Sequence, residues 1–76
     1  MKQHRLTIEA SFRPEMVERI LRVVRHRGFQ ICTMNLVSDV NTGKIVIDMT
    51  VTSPRSVDLL TTQLNKLLDV TNVQVR

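Results

Sequence analysis

Aromatic side chains are nearly absent: Phe12 and Phe29 are the only two, and there is no Trp or Tyr. A module that reads single-stranded RNA by stacking bases on a sheet therefore has almost nothing to stack them on. Cysteine occurs once, at Cys32. A lone thiol excludes an internal disulfide and any CxxC metal or redox pair, and it fits a reducing, cytoplasmic setting. No apolar run approaches the ~18 residues of a membrane span. The start, Met1-Lys2-Gln3-His4-Arg5, runs straight into a strand pattern, so no signal peptide is expected. Proline and glycine occur twice each, and all four fall where one periodicity gives way to another.

Those junctions divide 76 residues into strand–helix–strand written twice. Leu6, Ile8, Ala10 and Phe12 alternate with Thr7, Glu9 and Ser11, a half-buried strand with Phe12 inward. Pro14 suits a first helical turn. After it, Met16, Val17, Ile20, Leu21, Val23 and Val24 fall within an arc of ~160° on a helix. Glu15 with Arg19, and Glu18 with Arg22, stand at i,i+4 in the favourable order, worth ~0.3–0.5 kcal/mol each. Gly28 suits the left-handed position that closes the helix. A second strand runs from Phe29 to Val37, a polar turn covers Ser38 to Gly43, and a third strand spans Lys44 to Thr52. Ser53-Pro54 reads as an N-cap with proline at the first helical position. Val57, Leu60, Leu64, Leu67 and Leu68 form that helix's expected buried stripe, with Leu59 off it. Val70 to Val75 reads as a short edge strand.

This order predicts a single domain over residues 1–76 with a ferredoxin-like βαββαβ fold. Its four-stranded antiparallel sheet, in order 4-1-3-2, carries both helices on one face. A domain this small buries only ~60–65% of its unfolded surface, which makes association a reasonable expectation.

Catalysis finds little support. His4 and His26 are distant in sequence, and neither paired carboxylates, a Gly-rich phosphate loop nor a His/Cys metal cluster is visible. No catalytic residue and no metal ligand is assigned. Charge is more informative, with eight Arg and three Lys against seven acids. Arg19, Arg22, Arg25 and His26 share the polar side of the first helix, a candidate face for an acidic partner or a plain solvated surface. Arg13 stands before that helix, where an anion could approach. On the sheet's open face, strict alternation would cluster Cys32, Met34, Leu36 and Val46 near one edge. Apolar residues on an edge strand are a pairing hazard unless covered, so association through the second strand is expected. Leu59 is a further interface candidate.

Two stretches point to a family. Leu21-Arg22-Val23-Val24-Arg25-His26-Arg27-Gly28-Phe29-Gln30-Ile31 resembles the first-helix exit and second strand of the ACT domain in acetolactate (acetohydroxyacid) synthase small subunits. Gln63-Leu64-Asn65-Lys66-Leu67-Leu68-Asp69-Val70 is similar to that family's second-helix exit and last strand. The short form, without a second domain, is most like bacterial isozyme II. The resemblance implies a non-catalytic regulatory subunit of branched-chain amino-acid synthesis that binds and activates a large catalytic subunit. It implies no cofactor on this chain; thiamine diphosphate, Mg²⁺ and FAD would sit on the large partner, which condenses pyruvate with pyruvate or 2-oxobutyrate and releases CO₂. It also implies a homodimer paired through the second strand. Membrane association is not expected and nucleic-acid binding is disfavoured.

Valine-inhibited members carry an Asn-x-x-Gly turn between first strand and first helix, where backbone N–H groups meet the effector's carboxylate. The matching residues here are Phe12-Arg13-Pro14-Glu15. Phenylalanine lacks the amide, proline removes a donor, and Glu15 would repel a carboxylate. A second family asparagine corresponds to Gln30. The resemblance thus implies activation without strong valine feedback. The alternative is a free-standing ACT-like amino-acid sensor that regulates another protein.

Overall fold

A computed structural model describes residues 2–13 and 15–76. The elements run β1 (Lys2–Ser11), α1 (Met16–His26), β2 (Gln30–Asp39), β3 (Lys44–Ser53), α2 (Val57–Asn65) and β4 (Val70–Val75). They form a four-stranded antiparallel sheet in the order β2-β3-β1-β4. The expected ferredoxin-like βαββαβ topology and edge strands are therefore present.

The core lies between sheet and helices. Leu6, Ile8 and Ala10 of β1 and Ile45, Ile47, Met49 and Val51 of β3 are buried, and they meet Met16, Ile20 and Val24 of α1 and Leu60 and Leu64 of α2. These positions follow the two- and 3.6-residue periods read from the sequence. At the end of α1 the chain reverses through Gly28, at φ +84°. The Gly28 N–H donates to the Arg25 carbonyl and the Phe29 N–H to the Val24 carbonyl, the paired bonds of a Schellman cap.

Several expectations are corrected. Phe12 does not join the core: it lies one residue beyond β1 and is 53% exposed. Pro14, the expected start of α1, lies outside the described residues. Pro54 does not open α2. Ser53 is still paired with Lys2 in the sheet, and its Oγ accepts the Arg55 N–H, making a turn. The cap is Ser56, whose Oγ accepts the Asp58 N–H. Leu68 falls past the end of α2, where helical spacing no longer applies, and is 90% exposed.

The largest correction concerns β2. Ile31 pairs with Val51 and Thr33 with Thr50, leaving Cys32 as an extra residue in a β-bulge. Directly opposed residues share a face. Met34 opposite Met49 and Leu36 opposite Ile47 therefore turn to the helix side, while Thr33, Asn35 and Val37 take the open face. The expected open-face cluster of Cys32, Met34, Leu36 and Val46 does not form. β4 has a similar irregularity, with Thr71 unpaired between Val70 opposite Ala10 and Asn72 opposite Glu9.

Candidate functional site

The turn from Phe12 to Glu15 is tied to two other loops. The Phe12 N–H donates to the Gly43 carbonyl at 2.8 Å, and the Ser11 N–H donates to the Asp69 carbonyl at 2.8 Å. Arg13 Nε–H donates to Asp69 Oδ1 at 2.9 Å, and Asp69 is largely buried. Among the described residues this is the one ion pair within 4.0 Å. Arg13, which the sequence offered to an anion, is thus matched with an internal carboxylate. The Arg13 carbonyl accepts the Met16 N–H at 3.1 Å, closing the entry to α1. Glu15 is the exposed N-cap of that helix and makes no side-chain cap bond. A carboxylate stationed there is favoured by the helix dipole and opposes the approach of another anion.

Gln30 does not join this turn within one chain. It opposes Thr52 at the start of β2, the end of the sheet that carries Gln3, whereas the turn lies by Gly43 at the other end. An effector site that uses both would have to draw them from separate copies.

Arg19, Arg22, Arg25 and His26 are all exposed along α1. The expected Glu15–Arg19 and Glu18–Arg22 ion pairs are not within 4.0 Å, so these guanidinium groups face solvent without an internal counter-charge among the described residues. Leu59 is 51% exposed, as its off-stripe spacing required. At the sheet edge, Met34 and Leu36 lie on the helix side beyond the helices' cover, and Val37 beside Val46 gives the open face a small apolar spot. Val37 was missed by sequence reading because the bulge that turns it outward has no glycine to announce it.

The rest of the open face is polar. Thr7 Oγ1 donates to Asp48 Oδ1 at 2.7 Å and accepts from Arg76 Nε at 2.9 Å. Arg5, Thr33, Asn35 and Thr50 line a hollow beside Asp48. There is no aromatic on this face to stack a base. Among the described residues no group of three or more His, Cys, Asp or Glu could hold a metal. Among the described residues no helix is long and apolar enough to cross a membrane.

The chain matches the ACT domain family over residues 12–73. It is 55% identical over 75 residues to the acetolactate synthase isozyme 2 small subunit of Escherichia coli K12, covering 99% of this chain and 86% of that protein. The corresponding Shigella flexneri subunit matches to the same extent. Among solved structures, the ACT domain from a Chlorobium tepidum GTP pyrophosphokinase superposes with a TM-score of 0.84 at 17% identity, covering 97% of this chain and 96% of that one. The acetolactate synthase small subunit from Thermotoga maritima gives 0.85 at 17% identity, over 99% of this chain and 47% of that one. At such identities these two likenesses bear on the fold alone. The family model and the 55% relatives go further: this chain belongs to the ACT domain family and, within it, to the small subunits of acetolactate synthase.

Proposed function

We propose that this regulatory subunit binds the large catalytic subunit of an acetolactate synthase, raises its activity and confers no strong valine feedback. The observation that carries the reading is the identity of 55% across 99% of the chain to an isozyme 2 small subunit. In this reading thiamine diphosphate, Mg²⁺ and FAD belong to the large subunit, and the pair works in the cytoplasm. The small subunit acts by binding alone.

Weak valine response is supported by the turn. Phe12 replaces an amide, Glu15 adds a negative charge at the helix start, and Arg13 is already engaged by Asp69. In this reading two copies pair through β2. That strand is ten residues long and unpaired on its outer side, with half-exposed Met34 and Leu36 along it. Antiparallel pairing centred near Met34 and Asn35 would set Gln30 of one copy near Asp39 of the other, close to the partner copy's turn. The exposed α1 arginines would then be available to an acidic surface on the large subunit.

The test is reconstitution. Adding the purified chain to its large subunit is expected to raise carboligase turnover and to give co-elution on size exclusion. No rate change and no co-elution would refute the reading. Micromolar valine binding by calorimetry, with inhibition over the same range, would refute the feedback component.

A further inference from the structure

Positive charge is concentrated at one end of the domain, where α1 finishes and α2 begins. Three adjoining hollows open there. One, of about 520 Å³, is lined by Lys2, His4 and Arg55 with Pro54, Ser56 and Val57. The second, of about 120 Å³, lies between Arg27, Arg55, Leu59 and Gln63. The third, of about 200 Å³, is bounded by Arg22, Val23, His26 and Arg27. Arg55 joins the first to the second and Arg27 the second to the third, so the surface is continuous.

Among the described residues, no acidic side chain lines any of the three. Asp58 stands in the first turn of α2 but lines none of them. The opposite end differs: there Arg13 is neutralised by Asp69. The sequence suggested a basic stripe along the outside of α1. The hollows extend that stripe around the end of the domain, joining Arg22 and His26 to Arg27, to Lys2 and His4 of β1 and to Arg55 in the turn before α2.

We propose that this end is where the domain seats an acidic surface of the large catalytic subunit, with Leu59 entering an apolar recess among the charges. The inference rests on the reading of the chain as an acetolactate synthase subunit. Charge complementarity selects the sign of the partner, since four Lys or Arg side chains stand together without an acid among them. Leu59 selects a protein over a simple polyanion. It lies half-exposed in the same hollow as Arg27, Arg55 and Gln63, and an apolar anchor flanked by two arginines matches a protein interface. Arg55 lies across Gly28, where the absence of a Cβ leaves room for it: an added Cβ there would stand 3.2 Å from its Nε. The planar guanidinium fork forms a paired bond to a carboxylate with less loss of freedom per hydrogen bond than a lysine.

The experiment measures the dissociation constant of the reconstituted complex for R27E/R55E and for K44E/K66E. Both variants exchange two positive for two negative charges. Lys44 and Lys66 lie at the other end of the domain, so they control for net charge. R27E/R55E is expected to weaken the complex at least tenfold and flatten its dependence on NaCl, while K44E/K66E stays within twofold of wild type. The milder R27Q/R55Q and the apolar-site variant L59D are each expected to weaken it as well, with circular dichroism showing all variants folded. Equal weakening by both charge reversals, or none by either, would overturn the proposal. So would loss of single-stranded RNA or DNA binding in R27E/R55E with large-subunit affinity intact. If wild type neither binds nor activates the large subunit, the functional reading fails first and the site assignment falls with it.

Discussion

Replacing Gly28 with alanine tests the join between α1, β2 and α2. Gly28 sits at φ +84°, a region that costs an L-residue roughly 1–2 kcal/mol. Against this, alanine stiffens the unfolded chain and returns roughly 0.4–1 kcal/mol. The new Cβ would also stand 3.2 Å from Arg55 Nε and 3.5 Å from its Cδ, so that side chain must yield by a few tenths of an ångström. The net expectation is a loss of about 1 kcal/mol, or about 4–8 °C in Tm for a domain of this size. Gly43→Ala is the internal control: φ is +69° there and no atom lies within 4 Å of the added Cβ. It pays the backbone cost alone, so the difference between the two variants reports the Arg55 contact. Gly28→Asn should recover part of the loss, because asparagine tolerates this conformation better. Urea unfolding at fixed protein concentration, with unchanged m, is the assay. A neutral or stabilising Gly28→Ala would refute the reasoning.

Three further outcomes are expected. Leu60→Ala removes a fully buried leucine facing the sheet and should cost about 2–5 kcal/mol, a large share of what a domain this small holds; near-wild-type urea unfolding would contradict the packing. Thr7→Val keeps the shape of a buried side chain but deprives Asp48 and Arg76 of their shared hydroxyl, so thermal unfolding should reveal a loss of about 1–3 kcal/mol. Met34→Asp with Leu36→Asp places two charges on the helix side of β2; if two copies pair through that strand as proposed, analytical ultracentrifugation should find a dimer for wild type and a monomer for the variant, and an unchanged dimer would move the interface elsewhere.

The fold was legible because both periodicities are strong. Leu6, Ile8 and Ala10, and Ile45, Ile47, Met49 and Val51, declare their strands without competing signals. What escaped the sequence shares a physical cause: a local rule was applied where a longer-range constraint prevails. Ser53 and Ser56 can both cap a helix, and Pro54 favours the first. Yet Ser53 is retained by the sheet opposite Lys2, which delays α2 to Val57. Leu68 fits a helical stripe that has already ended. Arg13 looked like an unassigned cation because its partner, Asp69, lies on the far side of the sequence. The Asn-x-x-Gly comparison drew attention to the turn after β1 from local residues alone. What it lacked was the ion pair between Arg13 and Asp69.

The bulge at Cys32 has a consequence for how such a chain can change length over generations. Ile31 and Thr33 oppose consecutive residues of β3, Val51 and Thr50. Loss of the codon for residue 32 would therefore leave Met34 and Leu36 toward the helices and Thr33, Asn35 and Val37 toward the open side. Elsewhere in β2 a single insertion or deletion would exchange the two faces of every residue after it. Position 32 is thus where a lineage can gain or lose one residue while the rest of the strand keeps its orientation.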